Sequence, residues 1–172
     1  IPTTGSSVTR AADVVEITGT NFSSFYNQSE GTMFAEFNVI GFGFFPRVYE
    51  YQDGTSTGEN HHLYASTDGS NQTPVLRART KNGGNTQVNF ASVSVSTGTP
   101  LKTAYGYKVN DFGFSLNGAT PLLDTTGAIP TGIDRLTIGN REDRVNPLTG
   151  HIKRLSYFPM GLPNATLQSI TS

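Results

Sequence analysis

The chain has no cysteine and no tryptophan, and Asp, Glu, Lys and Arg together supply only 15% of its 172 residues. Without cysteine there are no disulfides, thiolate metal sites or cysteine nucleophile. The compartment stays open, because a chain of this length buries about two-thirds of its unfolded surface and needs no staples. A net charge of −1 provides no overall basic field of the kind that drives non-specific phosphate binding, so nucleic acid is not an expected partner. Long apolar runs are also missing. The longest, from Val39 to Phe45, is broken by Gly41 and Gly43, far short of the roughly 20 apolar residues of a membrane span, so no membrane insertion is expected. No leader pattern is visible, and the opening Ile1-Pro2 is what a fragment of a larger chain would show.

What the chain does have is Gly, Ser, Thr and Asn, with 11 Phe and 7 Tyr as its aromatics. Gly and Asn serve turns, while Thr and aromatics suit a pleated surface. Short alternating runs recur between turn signals, and they predict a single all-β domain over residues 13–172 behind an extended arm at residues 1–12. Thr32 to Val39 is the clearest run: Met33, Ala35, Phe37 and Val39 share one face, Phe34, Glu36 and Asn38 the other. Further strands are predicted at Val14–Ile17, Arg47–Tyr51, Asn60–Ser66, Val75–Thr80, Gln87–Val93, Thr103–Val109, Phe112–Leu116, Arg135–Ile138 and Gly150–Phe158. Asp53-Gly54, Asp68-Gly69, Asn82-Gly83-Gly84 and Asn117-Gly118 punctuate them as turns. In the last strand Ile152, Leu155 and Tyr157 do not share a two-residue phase, which predicts a bulge or burial on both faces. One short helix is predicted near Asn164 to Ile170. No βαβ alternation is present, so a parallel sheet is not expected.

Three stretches carry a family resemblance. Ile138-Gly139-Asn140-Arg141, followed by Leu148-Thr149-Gly150-His151-Ile152-Lys153-Arg154-Leu155-Ser156-Tyr157-Phe158-Pro159 and then Leu162 to Gln168, resembles the C-terminal signature of laminin-G-like, concanavalin A-like domains in phage tail, tailspike and prophage proteins. Asp111 to Gly118 is similar to the family strand that ends in Asn-Gly, and Ile1 to Asp13 looks like the arm that precedes such domains. These stretches cover about a third of the chain. Pro163 and Thr166 replace the usual cap serine and acidic residue of the short helix, which predicts a shorter helix or a start at Asn164. The resemblance implies an all-β, antiparallel two-sheet jelly-roll sandwich with one short C-terminal helix. It implies a non-catalytic carbohydrate-binding, host-recognition role within a larger virion or extracellular protein, with a bacterial surface polysaccharide as ligand and a homotrimer formed through the parent protein. It also implies calcium at a loop rim, where Asp53, Asp68, Asp124 and Asp143 sit beside turns. A purely structural or oligomerisation domain, and a glycoside hydrolase or polysaccharide lyase of the same fold, are the alternatives.

The residues speak mostly against chemistry. Glycoside hydrolysis needs two carboxylates about 5 to 10 Å apart, and no strand carries an acid pair on one face. Glu36 is flanked by Phe34 and Asn38, and Glu50 by Val48 and Gln52; a pair assembled from separate strands remains open. His61, His62 and His151 are the only histidines, and no Gly-x-Ser-x-Gly elbow accompanies them. A lyase using His62 or Tyr64 stays open, since the two share a strand face. His61 and His62 point opposite ways on a strand and cannot share a zinc ion without a bulge. Asp111-Phe112-Gly113 matches a kinase tripeptide without the rest of a kinase.

Sugar recognition wants a stacking aromatic beside planar hydrogen-bonding groups. Three places supply them. Tyr49 and Tyr51 share a strand face. Asn60, His62 and Tyr64 share another, with Arg77 and Arg79 on the following strand. The loop at Asn140, Arg141 and Arg144 is dense in charge. The competing reading is plain packing or a solvated face. An acidic sugar would make Arg77 and Arg79 the favoured anchors.

Overall fold

The computed structural model describes residues 15–41, 45–55, 58–68, 73–141, 143 and 146–172. The predicted arm lies outside them. The strands are β1 (Val15–Thr18), β2 (Glu30–Gly41), β3 (Arg47–Gln52), β4 (Asn60–Asp68), β5 (Thr73–Asn82), β6 (Asn85–Ser94), β7 (Leu101–Lys108), β8 (Asp111–Leu116), β9 (Leu122–Asp124), β10 (Arg135–Ile138) and β11 (Thr149–Phe158). Two short helices join them, α1 (Gly19–Ser23) and α2 (Asn164–Ile170). They form a six-stranded sheet in the order β1-β10-β3-β4-β5-β6 and a five-stranded sheet in the order β11-β2-β7-β8-β9. Every paired neighbour is antiparallel, so the expected two-sheet β-sandwich is what forms.

Alternation explains the core. Met33, Ala35, Phe37 and Val39 of β2 face Leu63 of β4 and Leu76 and Ala78 of β5 in one buried cluster, with Tyr105 of β7 and Phe114 of β8 beside them. The predicted break in β11 is a bulge: Ile152 pairs with Phe37 and Arg154 with Glu36, leaving Lys153 as the extra residue. This moves the inward phase from Ile152 to Leu155 and Tyr157, all of which pack on the core. A second irregularity sits at Gly150, where a Cβ would come within 2.1 Å of the Asn38 carbonyl oxygen. Only glycine fits.

Two elements were not expected. The five residues of α1 open on Gly19 at φ +59 and form no periodic run; the helix exists because Phe22 plugs the end of the sandwich at 1% exposure. The three-residue β9 leaves Leu122 and Leu123 exposed, so it carries no alternating signature. Helix α2 starts at Asn164 behind Pro163 without a side-chain cap. Its Leu167, 1% exposed, seats on the outside of the five-stranded sheet over Gly106 and Gly113. The Gly113 of the kinase-like tripeptide is therefore a seat for a leucine.

Candidate functional site

The outer face of the six-stranded sheet gathers polar side chains that a solvent face does not usually bury. The register sets Glu50 opposite His62 and His62 opposite Arg79, and Arg47 opposite Tyr64 and Tyr64 opposite Arg77. Gln52 lies across from Asn60, and Asn60 from Lys81. These are the outward residues because their neighbours Tyr49, Tyr51, His61, Leu63, Leu76, Ala78 and Thr80 are buried on the core side. Arg47, Glu50, Gln52, Asn60, His62 and Tyr64 are themselves all buried at 5% exposure or less, and form the floor. Arg77, Arg79 and Lys81 stand half-buried above it.

The floor is wired across three strands. The Arg79 Nε–H donates to His62 Nε2 at 2.9 Å, which assigns the ring proton to Nδ1. His62 Nδ1 lies 3.5 Å from Glu50 Oε1, and Glu50 Oε2 lies 3.8 Å from Arg47 Nε. Arg47 also donates from Nη1 to the Phe45 carbonyl at 3.2 Å. Both guanidinium groups sit over the Tyr64 ring, at 4.8 Å for Arg47 and 5.3 Å for Arg79, and Phe45 meets that ring edge-on at 5.6 Å. Burial, then the nearby Arg47 and Arg79 charges, holds His62 well below its usual range. It is neutral and accepts from Arg79. Burial also lowers Arg47, with Glu50 opposing the shift and Arg79 and Arg141 adding to it. Lys81 is lowered by burial first and then by Arg79. Cations crowd this face around one central carboxylate, Glu50. Glu16 of β1 lies on the same face beyond Thr137 and is 3.5 Å from Arg135.

The sequence-predicted site divides. His62, Tyr64, Asn60, Arg77 and Arg79 come together as one surface. Tyr49 and Tyr51 do not join it: each is 1% exposed, and Tyr51 packs against Phe22 and Tyr26 at ring distances of 6.1 and 5.3 Å inside the core. The reason is phase. The polar residues of β3, Glu50 and Gln52, take the outward positions, so the tyrosines must point inward. Asn140 and Arg141 sit at the rim, in a loop tied to the start of β3 by Gly139 N–H donating to the Val48 carbonyl at 2.9 Å and Arg47 N–H to that of Asn146 at 3.0 Å. Arg141 donates from Nε to Asp143 at 2.8 Å. Arg144 lies outside the described residues. Arg47, Glu50, Gln52 and Lys81 complete the face, and sequence reasoning did not select them; Glu50, Gln52 and Lys81 follow the two-residue spacing of the outward phase, whereas Arg47 joins the face only through the register shift between Arg47 and Tyr49.

Tyr64 is not a stacking platform either, since Arg47 and Arg79 cover it. The lyase reading loses its base, because His62 is fully buried and its Nε2 is occupied. Glu50, the carboxylate at the centre of this face, is 1% exposed and cannot reach a glycosidic oxygen. The two adjacent histidines face opposite ways, and His61 stacks on Tyr107 in the core at 4.1 Å. Among the described residues no group of three or more His, Asp or Glu could hold a metal ion. Asp53 and Asp124 each spend Oδ1 on the threonine two residues on, and Asp143 is paired with Arg141. No described helix is long and apolar enough to cross a membrane.

No family model matches the chain, and no curated protein does. Solved structures do. A carbohydrate-binding module, CBM40, of the Ruminococcus gnavus IT-sialidase superposes with a TM-score of 0.71 at 16% identity, over 94% of this chain and 97% of that one. The chain has the fold of that module. The same module bound to α2,3-sialyllactose gives 0.72. Tailspike protein 2 of the Escherichia coli O157:H7 bacteriophage CAB120 gives 0.63 at 16% identity, over 86% of this chain and 22% of the tailspike. The Streptococcus pneumoniae NanB sialidase gives 0.68 at 12% identity, over 90% of this chain and 26% of the enzyme. The chain thus spans about a quarter of those larger proteins and nearly the whole of the module.

Proposed function

We propose that this domain is a non-catalytic carbohydrate-binding module whose site is the outer face of the six-stranded sheet, with an acidic sugar held by Arg77 and Arg79. The observation that carries the reading is the buried line Arg79–His62–Glu50–Arg47. It fixes Arg79, one of the two proposed anchors, over Tyr64 before any ligand arrives, with the buried Arg47 on the same ring and Arg77 at the next outward position of β5. Guanidinium forks fixed in advance bind carboxylates by paired, charge-assisted hydrogen bonds and lose little side-chain freedom in doing so. The similar Ruminococcus gnavus module was solved with sialyllactose, an acidic glycan, which supports this assignment. Asn60 and the rim residues Asn140 and Arg141 would contribute polar contacts around the acid, with Arg144 a further contact proposed from the sequence.

In the wider role we propose, the module recognises a bacterial surface polysaccharide as part of a tail or tailspike-type protein that trimerises through its other parts. The sequence signatures and the similarity to one tailspike support it. A domain with only a packing role would need a contiguous apolar exterior. The exposed large apolar residues among those described are dispersed over β1, β2, Phe45 before β3, the β7–β8 turn, β9 and Met160.

A glycan array probed with the domain tests the reading. Binding to acidic glycans is expected, with Arg77→Ala and Arg79→Ala each weakening it by roughly tenfold or more, the loss of a charge-assisted hydrogen bond. Unchanged binding in both variants moves the site elsewhere; an array without any bound glycan removes the function.

A further inference from the structure

Arg77, Arg79 and Lys81 are not merely near one another. They occupy successive outward positions of β5, alternating with the buried Leu76, Ala78 and Thr80. Their register partners Tyr64, His62 and Asn60 on β4 hold the same face, in unbroken pairing. Strand geometry spaces such side chains at about 6.6–6.8 Å, so the row spans roughly 13 Å. A single carboxylate placed between two cations at that spacing reaches both and is out of reach of the third. From this we infer that the face takes an extended anionic polysaccharide, with acid groups on successive sugars laid along β5, rather than one terminal acidic residue. The inference rests on the glycan-binding reading above and adds the ligand's charge pattern to it.

Three further observations point the same way. The charges in the row are of one sign, and the central carboxylate, Glu50, is buried two strands away on β3, between Arg47 and His62. Burial and the charge of Arg79 push Lys81 below its usual range, so a ligand charge beside Lys81 and Arg79 relieves a repulsion the fold has built in. Third, Phe45 is the one exposed ring among the described residues of this face, and Tyr64 lies beneath two guanidinium groups. A single-stranded nucleic acid, the other common polyanion, needs a series of rings on which successive bases stack. A polysaccharide held through its acid groups can be bound by the charge row alone.

The test is titration calorimetry of the whole domain with oligomers of an acidic sugar, from monomer to hexamer. One arm uses carboxylates (oligogalacturonate and α2,8-linked oligosialic acid), another uses sulfates (heparin fragments), and a single-stranded oligonucleotide of equal charge is the control. Affinity is expected to rise roughly tenfold or more between monomer and tetramer and to fall as salt screens the row. In Lys81→Gln the ratio of tetramer to monomer affinity should collapse, and in Lys81→Arg, which keeps the charge, it should persist. Equal affinity for monomer and tetramer overturns the inference and leaves the acidic-sugar reading standing. So does a ratio untouched by Lys81→Gln. Oligonucleotide binding as tight as the best oligosaccharide overturns it as unselective ion exchange. If the acidic oligomers fail at every length and the glycan array is blank as well, the underlying reading fails with it.

Discussion

His61 and His62 are chain neighbours with opposite surroundings and the same protonation state. His61 lies inside the core, hydrogen-bonded to Thr80 at 2.7 Å and stacked on Tyr107. Burial lowers its pKa from 6.5 to about 3, and burial lowers His62 in the same direction. Both are neutral when folded, while the unfolded chain takes up protons below about 6.5. Stability is therefore fully present above that pH and is lost as pH falls from 6.5 towards 3. The slope approaches about 1.4 kcal/mol per pH unit for each histidine. Urea unfolding between pH 7 and pH 4 should show this fall in stability, and His61→Gln should flatten it relative to wild type. A pH-independent midpoint over that range would mean that neither ring is neutral in the fold. The same neutrality serves the site, since a protonated His62 could not accept from Arg79.

At the level of elements, the sheet outer faces are treated differently. The six-stranded sheet presents the polar row of the proposed site, whereas α2 lies over β7 and β8 of the five-stranded sheet. That docking depends on a missing side chain at Gly113, while at Gly106 a Cβ would meet Leu167 only at an ordinary 3.7 Å. Gly106 and Gly113 pair across β7 and β8, and a Cβ on Gly113 would meet Leu167 Cδ1 at 2.8 Å. Gly113→Ala should cost about 1–3 kcal/mol by overpacking, and Leu167→Ala about 2–5 kcal/mol by leaving a hole. In the double variant the two costs should add to less than their sum, because the new methyl occupies part of the space the leucine left. Thermal unfolding of the four proteins measures this, and strict additivity would show that the two residues do not meet. The strands were largely legible in the sequence for a related reason: β2, β4, β5 and β8 alternate cleanly, and even the phase break of β11 could be read as a bulge. By contrast α1 and β9 had no periodic signal. They exist because Phe22 fills one end of the core and because three residues happen to lie along β8.

For the whole molecule, the proposed recognition rests on cations of the fold itself. Among the described residues no acidic cluster assembles, and Asp53, Asp124 and Asp143 are engaged by their own loops. The melting temperature and glycan binding should accordingly be the same in calcium and in chelator. A rise of several degrees on adding calcium would place an ion at one of the loops. Net charge also has to be read as a distribution. A chain of net charge −1 looks featureless in total, yet it concentrates Arg47, Arg77, Arg79 and Lys81 on one surface, while Glu36 is spent on Lys153 of the opposite sheet and Glu59 on the Thr131 amide at 3.0 Å. That separation is the electrostatic basis of the proposed site.

Sequence alone determined most of the strands, most of the turns and the absence of an acid pair on any one strand, because alternation and turn chemistry are local properties. It also determined that His61 and His62 diverge, that His62 shares a face with Tyr64 and that Arg77 shares one with Arg79; the β4–β5 register made these one surface. It could not decide which face of β3 is covered. Alternation divides a strand into two sets of side chains, and both sets here, Tyr49 with Tyr51 and Glu50 with Gln52, carry hydrogen-bonding groups. Only the second sheet, packed against the tyrosines, turned them into core and left Glu50 to anchor the arginines. Strand neighbours were likewise a tertiary matter: β10 slots between β1 and β3 from far along the chain, and it carries the Asn140–Arg141 rim to the end of the arginine row.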